Sequence, residues 1–161
     1  MTPFDKRADM IVHEEDPFNA ETARAVLAEA SLTPTAAFFS RNHGPIPRTD
    51  PAAWRLRVEG LVGEPLSFSL DELRERFAER EVVATLQCAG SRRAGLLEVR
   101  DIPGEAPWGP GAMGTATWRG VALADVLRAA GAHDAAAHVA FAGCDVSDEP
   151  GSPEAYGASI P

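Results

Sequence analysis

Two features of this sequence have residue types and spacing that could do chemistry. One is a cysteine closely followed by arginines, Cys88 with Arg92 and Arg93 in the stretch TLQCAGSRR (85–93); the other is an earlier arginine group at Arg41, Arg48, Arg55 and Arg57. A thiol is a nucleophile or metal ligand only as its thiolate, and positive charge nearby on a Gly-containing loop favours that form at neutral pH. A soft thiolate suits a thiophilic transition metal better than magnesium or calcium. Spacing alone names no metal, and a lone cysteine is more often a small buried apolar residue. Arginine presents a planar fork that matches oxyanions, so these groups are compatible with a small anionic substrate. Taken singly, most such side chains are solvated surface charges.

Composition narrows the alternatives. The chain has 161 residues, with 15 Lys and Arg against 24 Asp and Glu, for a net charge of −9. That balance argues against nucleic acid or an anionic membrane as partner, since both reward clustered positive charge. The acid is uneven, because residues 133–161 contain Asp134, Asp145, Asp148, Glu149 and Glu154 and no Lys or Arg. Cys88 and Cys144 cannot build a disulfide framework, and no C-x-x-C pair marks structural zinc. The sequence contains no apolar run of about eighteen residues, and MTPFDKRADMIV has no apolar signal stretch, which predicts a cytoplasmic protein with no membrane partner.

The elements that must position these residues follow from pattern. Residues 1–20, polar with Pro3 and Pro17, read as an extended arm, followed by a helix over 21–30 that Pro34 ends. The stretch 31–51 is Pro-rich but carries Phe38 and Phe39, which predicts an ordered loop pinned by aromatics. Trp54, Leu56 and Val58 alternate with charged residues as a half-buried strand does, and Gly60 closes it. LSFS (66–69) is a second strand, and Ser69 with Glu72 forms a capping box opening a helix to about Phe77. Val82 to Leu86 predicts a buried strand that breaks at QCAGSRR, placing Cys88 where strand gives way to loop. Leu123, Val126, Leu127 and Ala130 have helical spacing with Gly131 as C-terminal cap, and 138–142 is a final strand. Cys144 is expected to be buried. Strands and helices mix without strict alternation, which predicts an α+β fold in one domain. AYGASIP closes with neither helix nor strand, which predicts further structure downstream of Pro161.

Several segments together resemble one family. PFNAET (17–22), FFSRNHGPIP (38–47), TLQCAGSRR (85–93), the W-x-G-x-x-L-x-D-V-L pattern from Trp118 to Leu127 and YGASIP (156–161) are similar, in order and near-spacing, to the molybdopterin domain of the sulfite oxidase family. The resemblance implies a mixed-sheet α+β molybdopterin-binding domain over 21–161, incomplete at its C-terminus, with the family's dimerisation domain absent. It further implies Mo-molybdopterin with one molybdenum per chain, and oxidation of sulfite to sulfate by oxygen-atom transfer. The electron acceptor would be a cytochrome or dioxygen, and the full-length form a homodimer. A nitrate- or sulfoxide-converting relative, or a non-catalytic remnant, are the competing readings.

By the same resemblance Cys88 supplies the thiolate to molybdenum beside the two dithiolene sulfurs. Phe39, Ser40, Arg41, Asn42 and His43 form the loop that contacts the pterin, with Arg41 facing the substrate anion. Arg93 and Trp108 match the anion pocket, although the linker before Trp108 is one residue longer than the family's, and Trp108 between Pro107 and Pro110 also reads as a loop anchor. Asp145 resembles a carboxylate that bonds the pterin, with Asp148 the competing choice. The family's histidine and arginine for the cofactor phosphate, its catalytic tyrosine and a further substrate arginine belong to segments after Pro161, so these residues alone are not expected to retain cofactor or turn over.

Overall fold

The structure is a computed structural model that describes residues 3–104, 106–146 and 155–161. In chain order the elements are a short 3-10 turn at Pro3–Asp5, β1 (Ile11–Glu14), β2 (Asn19–Glu21), α1 (Arg24–Leu27), β3 (Leu56–Val58), β4 (Leu66–Phe68), α2 (Leu70–Arg76), β5 (Glu79–Gln87), α3 (Arg93–Leu97), β6 (Met113–Val121), α4 (Leu123–Ala129), β7 (Val139–Val146) and β8 (Ala155–Ile160). This is the α+β mixture that the sequence pattern predicts. Where length predicted one domain, the chain forms two compact units: residues 1–46 with 83–118, and residues 47–82 with 119–161. Strands β5 and β6 pair with each other.

In the first unit, residues 1–20 are not the extended arm expected from their prolines. β1 and β2 pair antiparallel, with Ile11 opposite Glu21, Val12 opposite Ala20 and Glu14 opposite Asn19, so His13 is the extra residue of a β-bulge. The physical reason is burial: Phe18, Asn19, Ala20, Glu21 and Thr22 are all buried, and a buried backbone must find hydrogen bonds. Met10, Phe18 and Ala20 form the hairpin's core with Ile46 against it. Because Glu21 belongs to β2, the predicted helix over 21–30 shrinks to the four residues of α1. α3, which no sequence pattern announced, opens directly after the Cys88 loop.

The apolar run Val82–Leu86 is a strand, as predicted, but not a buried one. Val82, Val83 and Leu86 are 58%, 60% and 49% exposed. β-branched composition reports fit to a pleated strand, whereas burial depends on what covers it. Polar side chains line the ribbon instead: Thr85 and Thr115 hydroxyls meet at 2.7 Å, and Trp118 Nε1 donates to the Ala84 carbonyl at 3.0 Å.

The second unit holds the predicted strand pair and helices. β3 and β4 pair antiparallel, Leu56 opposite Phe68, and they bury Phe68 with Leu73 of α2 and Val126 of α4, flanked by Trp54, Leu56, Val58, Leu66, Phe77 and Val121. The capping box at α2 is complete: Glu72 N–H donates to Ser69 Oγ and Ser69 N–H to the Glu72 carboxylate. These backbone and side-chain bonds from Ser69 hold the Glu72 carboxyl below its ordinary range. Gly131 follows α4 at φ +64°, a conformation glycine adopts without strain, and supplies its stop. AYGASIP is a strand after all. β8 pairs antiparallel with β7, Val139 opposite Ile160, and Gly157 permits it, since a Cβ there would lie 2.7 Å from the Phe141 carbonyl oxygen. Cys144, on β7, is exposed rather than buried.

Candidate functional site

The hairpin β1/β2 organises the sequence-predicted site. One end grips the loop that starts at Phe38. Ala20 and Ser40 exchange backbone hydrogen bonds at 3.0 and 2.9 Å. Asn42 N–H donates to Asn19 Oδ1 at 2.6 Å, Asn42 Nδ2 donates to the Phe18 carbonyl at 2.7 Å, and Asn19 Nδ2 donates to the Asn42 carbonyl at 3.1 Å and to Glu14 at 2.7 Å. Asn19 is 1% exposed, so this clasp operates away from water, where each bond is stronger. Thr22 Oγ1 donates to the Ala37 carbonyl at 2.6 Å, and Lys6 Nζ donates to the carbonyls of Thr35 and Phe38, both at 2.8 Å. Burial lowers the Lys6 pKa from its ordinary value.

The loop's own side chains are half-buried. Phe39 stacks on Phe38 at 5.4 Å, and Phe38 meets Trp118 edge-on at 5.9 Å while filling the space that a side chain at Gly114 would need. The Arg41 guanidinium donates to the Asn42 carbonyl and lies 3.0 Å from His43 Nδ1. Arginine can only donate, so in that contact Nδ1 is the acceptor. Ser40, Arg41, Asn42 and His43 are therefore tied into one hydrogen-bonded loop, with Phe39 stacked beside them.

The hairpin's other end grips the segment carrying Trp108. Thr22 N–H donates to the Gly111 carbonyl at 3.1 Å, and that segment in turn receives the cysteine loop: Cys88 N–H to the Ala112 carbonyl at 2.9 Å, Arg92 N–H to Gly109 at 2.9 Å and Ala94 N–H to Trp108 at 3.0 Å. Cys88 is half-buried at the end of β5, with Gly90 N–H directed at its Sγ at 3.4 Å. Arg93 Nη1 donates to the Ala106 carbonyl at 3.1 Å, and its guanidinium lies where a Cβ on Gly90 would come within 2.8 Å. Arg92 sits at φ 66°, ψ 17°, left-handed backbone that a non-glycine residue adopts at a cost, as residues at functional loops often do.

The predicted residues therefore divide. Arg41 with its loop, Cys88, Arg93 and Trp108 lie in the first unit; Asp145 lies in the second, half-buried on β7, its carboxylate turned back over Gly143. Asp148 lies outside the described residues. Trp108 is fully buried and edge-on to His13 at 4.8 Å, the loop-anchor geometry that the sequence offered as its second reading. Sequence reasoning missed Asn19, Glu21 and His13 as positioning residues, although PFNAET was the signal available.

Comparison with known proteins places this arrangement. The family model described as oxidoreductase molybdopterin binding domain matches residues 43–161. The chain is 50% identical over 153 residues to sulfite oxidase of Gallus gallus, covering 93% of this chain and 32% of that protein. It is 40% identical over 148 residues to the NAD(P)H nitrate reductase of Hordeum vulgare, covering 89% and 16%. The crystal structure of the sulfane dehydrogenase SoxCD from Paracoccus pantotrophus is similar at a TM-score of 0.65 and 26% identity, over 83% of this chain and 32% of that one. The chain thus spans about a third of the sulfite oxidase it matches. With the family model covering most of its length, this chain belongs to the oxidoreductase molybdopterin-binding domain family, of the sulfite oxidase type.

Proposed function

We propose that the chain is the cofactor-binding part of an oxidoreductase that converts sulfite to sulfate, with Cys88 as the protein ligand to molybdenum. The observation that carries this reading is the Cys88 loop: a half-buried thiol with an amide N–H on its sulfur and the Arg93 guanidinium over the intervening glycine. The donor set fits a pterin-bound metal. Among the described residues no group of three His, Cys, Asp or Glu could hold a metal ion, so a metal at Cys88 would bring its other ligands with it.

When bound, the molybdenum-pterin group supplies two-electron oxygen-atom transfer, and the net conversion consumes one water and releases two protons and two electrons to a cytochrome or dioxygen. The chain's own residues bind and orient. Cys88 would hold the metal, the backbone-clasped loop Phe39–His43 would hold the pterin, and Arg41 and Arg93 would bind the sulfite oxygens. Two guanidinium groups already fixed by carbonyl acceptors bind an oxyanion with little reorganisation. Identity to the chicken sulfite oxidase supports sulfite as the substrate, and identity to the barley nitrate reductase makes nitrate the second reading. Steady-state rates with each anion, measured on a molybdenum-loaded longer polypeptide that carries this sequence, separate them: faster turnover of sulfite upholds the proposal, and faster turnover of nitrate replaces it.

A further inference from the structure

Behind the Cys88 loop, three buried polar atoms of the first unit share one place without a hydrogen-bond partner: His13 Nε2, Glu21 Oε2 and Trp108 Nε1. The side chains of His13 and Glu21 are 8% and 4% exposed, and Trp108 is 0% exposed. His13 Nε2 lies 3.7 Å from Glu21 Oε1, too far for a direct hydrogen bond, and the His13 ring meets the Trp108 indole at 4.8 Å. The Glu21 carboxyl also lies against Gly109, 2.5 Å from where a Cβ would be, so glycine leaves it room. The β-bulge supplies independent support, because His13 is its extra residue and bulges re-aim side chains.

Leaving such atoms unsatisfied forfeits their hydration with no return, so native proteins satisfy them. The chemistry selects the partner. An indole N–H repels a cation and a carboxyl oxygen repels an anion, whereas a water molecule accepts from the indole and donates to the carboxyl, with the imidazole taking either role. Polar contacts beyond 3.5 Å are where bridging water is found, and a buried water needs two to four partners.

We propose that His13, Glu21 and Trp108 enclose a binding site for a single water molecule, and that this bridge is a positioning device for the Cys88 loop. It ties both strands of the hairpin to Trp108, whose carbonyl receives Ala94 N–H and whose neighbours Gly109 and Ala112 receive Arg92 and Cys88. The inference stands on the packing of the first unit and does not depend on the cofactor.

The test uses the full chain with Cys144→Ser, so that Cys88 is the one thiol. Glu21→Gln keeps shape and polarity, Glu21→Leu keeps similar volume without polarity, and Trp108→Phe deletes the N–H. The readouts are amide hydrogen exchange at Cys88, Arg92 and Ala94, and the rate of Cys88 with Ellman's reagent. We expect Leu and Phe to accelerate exchange about tenfold or more, the equivalent of one lost bridge, and Gln to stay within about threefold of the parent. Equal behaviour of Gln and Leu would mean that packing alone acts there and would overturn the proposal. Should the Leu and Phe variants not fold, a crystal structure of the parent decides: water density within about 3 Å of all three atoms supports the site, and a direct His13–Glu21 hydrogen bond with no density overturns it.

Discussion

The contact between Gly111 and Thr22 is the mechanical link by which the hairpin holds the cysteine loop, and Gly111→Ala tests it. A Cβ at Gly111 would fall inside the van der Waals envelope of the Thr22 carbonyl oxygen, 2.9 Å from its carbonyl carbon and 3.2 Å from its nitrogen. All three are backbone atoms, so no side-chain rotation relieves the clash, and the two segments must separate by about 1.5 Å to restore ordinary contact with the oxygen. Overpacking of this kind costs about 1–3 kcal/mol, and losing the bond from Thr22 N–H to Gly111 at 3.1 Å adds about 1 kcal/mol. The total, about 2–4 kcal/mol, is a large part of the stability of a small protein. With a urea slope of roughly 2 kcal/mol per molar, the midpoint should fall by about 1–2 M, followed by the fluorescence of buried Trp108 and its fellow tryptophans. Gly95→Ala is the control. Gly95 is inside α3 with nothing within 4 Å of its Cβ position, so alanine should stabilise by up to about 1 kcal/mol. If the two variants unfold at the same urea concentration, the hairpin does not brace the cysteine loop in the way described.

Arg41→Ala in a molybdenum-loaded longer polypeptide that carries this sequence should raise the KM for sulfite about 10–100-fold, the value of one charged hydrogen bond, while Arg48→Ala, exposed on the following stretch, should leave it unchanged; equal effects would remove Arg41 from the anion site. Arg92→Gly should be neutral or stabilise by up to about 1 kcal/mol, because it relieves the left-handed backbone, and a loss above about 1 kcal/mol in thermal unfolding would show that the side chain matters more than its φ. Acid should weaken the second unit. Ser69's hydrogen bonds lower the Glu72 pKa, and the bonds from Arg128 and then Arg80 lower that of Asp125. Groups lowered on folding add stability above their unfolded pKa and lose it as pH falls through the folded value. Stability should therefore decline between about pH 5 and pH 3, less steeply in Glu72→Gln. An unchanged slope in that variant would count against the capping box.

What could be read from the sequence was local. The capping box at Ser69, the stop at Gly131 and the alternation around Leu56 are decided by a few neighbouring residues, and the structure has all three. What could not be read depends on partners distant in the chain. β1, β2 and β8 carry little β-branched residue content beyond Ile11, Val12 and Ile160, and they exist because each finds a backbone to pair with. Val82 and Val83 show the converse, a strongly apolar strand that its surroundings leave exposed. For the site, Cys88 and Arg93 were visible because they fall together in TLQCAGSRR, a segment that resembles one family's. Asn19 and Glu21 were not, because their roles consist of burial and hydrogen bonds that only the fold creates.

The central claim is that the Cys88 sulfur is bonded to molybdenum. Molybdenum K-edge absorption, recorded on a longer polypeptide that carries this sequence and is expressed in a host that makes the pterin cofactor, tests it directly. Three sulfur neighbours are expected in the parent and two in Cys88→Ser, with Cys144→Ser still showing three. Three sulfurs surviving in Cys88→Ser would contradict it.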